Sequence, residues 1–210
     1  MKLYDIKVSP NCRRVRMFLA EKGESVPMEE CLDPDRACLT DGYLTRYPFR
    51  MAPMLELDDG TQIGESTAIC RYIEGLHPQP NLLGQNFLEQ STVEMWQQRV
   101  QADGEQGAEE MFRNAFPPFK DRGLAGFTNP IPQIPALVER GRFRLDRFLR
   151  LLDRQLSDQP FVAGPRFSIA DISTLCAIDF AKHSGYQVPE ELQATQRWYR
   201  EISKRLSASA

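Results

Sequence analysis

Histidine is scarce in this chain. There are two, His77 and His183, among 210 residues, and no two cysteines stand in a CxxC spacing. That leaves too few ligands for a zinc site, so no metal is expected. No apolar run approaches the length of about 18 residues that a membrane-spanning helix needs. A basic excess is missing too: 26 Lys and Arg stand against 29 Asp and Glu, for a net charge of −3. A nucleic-acid partner calls for a positive field, so that class is set aside. The opening MKLYDIKVSP has no apolar core ending in small residues, as a secretory leader would. Five cysteines, at 12, 31, 38, 70 and 176, suggest no disulfide framework and suit a reducing compartment. A cytoplasmic location is the expectation. With 41% apolar and 26% charged residues the composition is that of a globular chain, not a disordered one.

Periodicity divides the chain in two. Tyr4, Ile6 and Val8 alternate as in a strand, and Ser9-Pro10-Asn11 breaks the pattern. From Cys12 the apolar residues Val15, Phe18 and Leu19 recur at helical spacing, with Gly23 as a stop. A second strand is expected near Val26 and Met28, then an irregular helix within 33–49 that turns Leu39, Tyr43 and Leu44 inward. Pro53 to Leu57, Asp58-Asp59-Gly60 and Thr61 to Ile63 read as a hairpin, because Asp-Gly tolerates the positive φ of a tight turn. Gly64-Glu65-Ser66 opens a helix with Ile69, Tyr72, Ile73 and Leu76 as its stripe. Residues 79–88 read as a linker between an α/β unit, 1–78, and an all-helical unit, 89–210. The second unit holds a long helix through Val93, Trp96, Val100 and Met111, in which Gly104 and Gly107 mark close packing or a bend. A proline-rich loop follows over 116–135, then a helix through Leu137 to Leu156. Ser168 and Asp171 form a capping box ahead of the apolar ISTLCAIDF, and a last helix carries Leu192, Thr195, Tyr199, Ile202 and Leu206.

Three short segments could carry chemistry. Ser9-Pro10-Asn11-Cys12 stands at a strand-to-helix junction, where free N–H groups and the positive dipole end stabilise a thiolate. The same residues also serve as an ordinary helix cap. In Met51-Ala52-Pro53 a cis proline would turn the Ala52 backbone outward to bind a peptide; an ordinary edge-strand proline is the alternative. Glu65-Ser66-Thr67 opens a helix whose hydroxyl and N–H groups suit a carboxylate and whose Glu suits an amine, or which simply caps it.

The order of these segments resembles the glutathione S-transferase family. SPNCRRVRMFLAEKG resembles its active-site segment, MAPMLELDDGTQIGESTAICRYIE its glutathione-binding half, and FVAGPRFSIADI its helical-domain capping motif. The likeness covers nearly the whole chain and is weakest over 33–50 and 113–135. It implies a thioredoxin-like N-terminal domain followed by an all-α helical domain, and a homodimer. It implies glutathione as co-substrate, with no separate cofactor. The family's activated serine falls on Ser9, with Asn11 beside it, and its cis-proline on Pro53, with Ala52 holding the cysteinyl backbone. Its acid-serine pair for the γ-glutamyl group falls on Glu65 and Ser66, and an acid lent by the partner subunit on Asp103. Met51 departs from the family, which often has a Lys or Gln there, and leaves Arg50 or Arg36 for the glycyl carboxylate.

The acceptor pocket is expected between the domains, walled by Phe112, Arg113, Asn114 and Phe116, the usual place for an apolar small-molecule site. Three activities follow. The first is transfer of the glutathione thiolate to a small electrophile. The second is thiol-disulfide or peroxide reduction by Cys12, which holds the second cysteine position of a CPxC-like pattern whose first is Ser9. The third is ligand binding without turnover.

Overall fold

The computed structural model describes residues 1–33, 38–127 and 129–210. β1 (Lys2–Asp5) pairs in parallel with β2 (Met28–Glu30), and α1 (Pro10–Lys22) makes the crossover. On its other side β1 runs antiparallel to β5 (Met54–Glu56), which forms the expected hairpin with β6 (Gln62–Gly64). The sheet order is β2-β1-β5-β6, and β3 (Leu32–Asp33) and β4 (Cys38–Leu39) form a small separate pair. Gly60 closes the hairpin at φ 84°, a value open to glycine.

The two faces of the sheet bury different sets, as strand alternation requires. Leu3 and Leu55 pack under α1 and α3 (Ser66–Leu76), against Val15, Phe18, Ile69 and Ile73. Tyr4 and Met54 point the other way, toward Tyr43 and Tyr47 around α2 (Asp41–Arg46). This is the mixed sheet with flanking helices of a thioredoxin-like domain. β1 stops at Asp5, short of the alternation that reaches Val8: the Ile6 N–H turns to Cys12 Sγ and the Lys7 N–H to the Glu30 carboxylate.

Beyond α3 the named elements are all helices. The expected long helix has three parts: α4 (Phe87–Arg99), a π-helical segment Val100–Glu105, and α5 (Gln106–Ala115). Gly107 lets α5 approach α6 (Ala136–Asp158): a Cβ there would lie 2.7 Å from the Gly141 carbonyl oxygen. α7 (Ile169–Lys182) is buried on nearly all sides and begins at the expected capping box. α8 (Gln193–Ile202) ends before Leu206, which is exposed instead of closing that helix's stripe.

The two parts are tied together. α7 packs on α1, where Cys176 lies 3.8 Å from the Met17 sulfur. Residues 79–88 do not hang free: Leu82 is buried, its N–H donates to Glu74, and its carbonyl accepts from the Ile169 N–H. Glu74 in turn pairs with the buried Lys22 of α1.

Candidate functional site

α1 begins at Ser9, which caps it by accepting the Cys12 N–H on Oγ at 3.5 Å. A hydroxyl has one donor and two acceptor directions, so capping leaves its proton able to point outward. Asn11, on the first turn, is exposed. Cys12 is fully buried, and its Sγ accepts the Ile6 N–H at 3.2 Å. Burial first, then the Asp5 charge, pushes its thiol up to about 12, against the opposing pull of Ser9 and Ile6. At neutral pH it is a packed, protonated thiol and not an attacking thiolate.

The Ala52–Pro53 peptide is cis. Glu65 caps α3 through its backbone at φ 58°, ψ 113°, a strained region for a residue with a Cβ, and its side chain makes no capping bond. Exposed Glu65 therefore stays available at the helix start, next to Ser66, which is 5% exposed. Asn11, Tyr47, Met51, Ala52, Pro53, Glu65 and Ser66 line one cleft. The three sequence motifs thus meet in space.

Sequence reasoning missed what holds them there. Arg14, one residue from the expected stripe of α1, is fully buried. Its guanidinium donates to Asn11 Oδ1 at 2.9 Å, to Ser66 Oγ, and to Ser173 Oγ of α7 at 2.7 Å, and it pairs with Glu105 of the π segment. One side chain thereby fixes two of the cleft residues and ties both to the helical part. The rigid fork of arginine suits this; a point-charge ammonium does not.

Other expected site residues are occupied elsewhere. Asp103 is 1% exposed, and its carboxylate is taken by Arg99 at 2.9 Å and Arg147 at 2.6 Å. These arginines hold its carboxyl below the usual range against the cost of burial. Within its own chain this carboxylate is thus engaged by arginines of the helical part. Asn114 is buried and braces the proline-rich loop, donating to the Glu110 carbonyl at 2.8 Å and accepting the Ile134 N–H at 2.9 Å. Arg113 reaches Glu109 at 2.7 Å and covers the Phe119 ring. Both polar groups thus make contacts within the helical part. Phe112 and Phe116 stack with ring centroids 4.9 Å apart, and Phe112 also meets Phe119 and Phe180 at 5.3 and 4.8 Å. Of the two arginines expected to meet a second carboxylate, Arg50 is not among the cleft-lining residues and Arg36 lies outside the described residues.

Known proteins share this fold. Residues 3–81 match the model of the glutathione S-transferase N-terminal domain, and residues 135–201 that of the C-terminal domain. Glutathione S-transferase 2 of Saccharomyces cerevisiae is 33% identical over 216 residues, covering 99% of this chain and 87% of its own. The crystal structure of Gtt2 from the same yeast superposes with a TM-score of 0.89 at 32% identity, over 100% of this chain and 99% of that one. A class Gtt2 glutathione S-transferase of Vibrio parahaemolyticus gives 0.82 at 33%, over 99% and 94% of the two chains. All the cleft residues fall inside the first matched segment. The chain belongs to the glutathione S-transferase family.

Proposed function

We propose that this protein binds glutathione where α1, Ala52–Pro53 and α3 converge, and transfers it as a thiolate to an electrophilic carbon of a small molecule. The observation that carries this reading is the single cleft lined by Asn11, Ala52, Pro53, Glu65 and Ser66, beside the Ser9 cap. Glu65 takes the γ-glutamyl amine. Ser66 and the N–H groups that start α3 take the α-carboxylate, aided by the helix dipole. Ala52 holds the cysteinyl backbone, which leaves the sulfur over the start of α1. A thiol near pKa 8.5 needs about 2.7 kcal/mol of preference for its anion to drop two units. The Ser9 hydroxyl and the dipole of α1 supply part of it. The thiol proton leaves to solvent. The sulfur lone pair then forms the S–C bond while a halide departs or an activated double bond takes up the electrons. Binding both reactants makes the attack effectively intramolecular.

The cluster of Phe112, Phe116, Phe119 and Phe180 supports an apolar acceptor, in keeping with a role in detoxification. Exposed apolar side chains on α4, Phe87, Leu88 and Met95, support a homodimer. We read the location as cytoplasmic and the chemistry as needing no bound cofactor. Reduction carried by Cys12 is the weaker reading, because that thiol is buried and pushed up to about 12.

Ser9→Ala tests the mechanism. A hydrogen bond to a charged group contributes about 1.5–3 kcal/mol, so turnover of a dinitrophenyl halide should fall roughly 10- to 100-fold. Glutathione affinity should change little. Unchanged turnover would remove Ser9 from the mechanism.

A further inference from the structure

Tyr47 is the C-cap of α2, one turn after Tyr43. It is 3% exposed, yet among the described residues its hydroxyl has no hydrogen-bond partner. Burying a hydroxyl unpaired is unfavourable, and such groups are few in folded chains. The ring is fixed from two sides, by Tyr43 at 5.9 Å and by Phe49, edge-on, at 5.3 Å. Its hydroxyl end lies against Gly64, immediately before Glu65. A Cβ on Gly64 would come 1.3 Å from that oxygen and 2.5 Å from the ring carbon bearing it. Gly64 is not among the positive-φ glycines, so its backbone does not demand glycine; the space for Tyr47 does. Tyr47 lines the same cleft as Ala52, Pro53, Glu65 and Ser66. Burial first, and the Glu65 charge second, push the phenol up to about 12, so it is a donor at neutral pH.

We propose that the Tyr47 hydroxyl is a further binding group of this cleft, donating a hydrogen bond to the α-carboxylate of the γ-glutamyl residue, with Gly64 kept small to admit it. The proposal rests on the glutathione reading above. Glu65, beside the phenol, takes the amine of the same residue. Ser66 Oγ already accepts from Arg14 and so turns its own proton toward the ligand. The carboxylate then has two hydroxyl donors, and the phenol gains the partner that the described residues do not provide.

The test compares Tyr47→Phe with the wild-type protein by calorimetric titration, using glutathione and γ-aminobutyryl-cysteinyl-glycine, which lacks the α-carboxylate. A hydrogen bond to a charged group is worth about tenfold or more in affinity. Tyr47→Phe should therefore weaken glutathione about tenfold while changing the analogue less than about twofold. Its melting temperature without ligand should be unchanged or slightly higher, because no protein hydrogen bond is lost. Equal glutathione affinity in the two proteins, or equal losses for both ligands, would overturn the role of Tyr47 and leave the cleft assignment standing. A lower melting temperature with unchanged affinity would make the hydroxyl a structural group and overturn it too. Failure of the wild-type protein to take up glutathione would bring down the underlying reading as well.

Discussion

Arg14→Leu should lower stability by about 3–5 kcal/mol, the usual result of removing one partner of a buried ion pair. For a chain of this size that is a fall in melting temperature of roughly 10 °C, readable by calorimetry or circular dichroism. The mechanism is specific. The substitution leaves Glu105 in a half-buried pocket without its cation, and it takes a donor from Asn11, Ser66 and Ser173 at once. Removing both charges, as in Arg14→Leu with Glu105→Leu, should recover a substantial part of the loss, because the second change relieves the stranded carboxylate. Arg14→Lys should recover little: one ammonium cannot point at α3, α7 and the π segment together. Catalysis should suffer even at temperatures where the variant is folded, since Asn11 and Ser66 lose the group that orients them. A variant with wild-type melting and wild-type activity would show that the four contacts of Arg14 are incidental.

Asp171→Ala should be nearly as costly, about 3–4 kcal/mol, for a different reason. The carboxylate is fully buried and accepts the Val162 N–H at 2.9 Å, the Trp198 indole N–H at 2.9 Å, the Ser168 N–H at 3.0 Å and the Ser168 hydroxyl at 3.2 Å. Alanine leaves these donors without an acceptor in the centre of the helical part. Loss of the water around it dominates the four donors and pushes this carboxyl up to about 6. An unfolded aspartate titrates near pKa 3.9, so between roughly pH 4 and 6 the folded state holds the proton more often. The contribution from this group is therefore fully present below about pH 4, declines as pH rises through about 6, and is level above that. The stability gap between the wild-type protein and Asp171→Asn, followed by urea unfolding, should drift across that window and be constant from pH 7 to 8. A gap that does not move with pH would contradict the assignment.

What could be read before the structure was short-range. The Asp-Gly turn, the Ser168–Asp171 box and the Ser9 cap each announce themselves within four residues, because capping and turn chemistry are local. What could not be read was set by distant partners. Arg14 reaches residues 52 and 159 positions away, and a buried polar group in a helix gives no periodic sign of what it will meet. The phase of α1 held a hint, since Arg14 stands four residues before Phe18 on the side that turned out buried. Tyr47 fell in the stretch with the weakest pattern, and its setting depends on Gly64, 17 residues on, whose contact with that ring no local pattern reveals. The π segment escaped because a reading at 3.6 residues per turn cannot register a widened one. Asp103 and Asn114 were expected at the site; the contacts they make within the chain, to three arginines of the helical part and to a loop backbone, come from distant residues that no local pattern reveals. The docking of Leu82 within the linker depends on Glu74 and Ile169, which no local composition reveals.

A crystal structure of the protein with glutathione measures the central claim directly. The γ-glutamyl end should lie at Glu65 and Ser66, the cysteinyl backbone along Ala52, and the sulfur within hydrogen-bond reach of Ser9 Oγ, about 3–3.5 Å. A tripeptide lying elsewhere, or one in this cleft with its sulfur turned away from the start of α1, would contradict it.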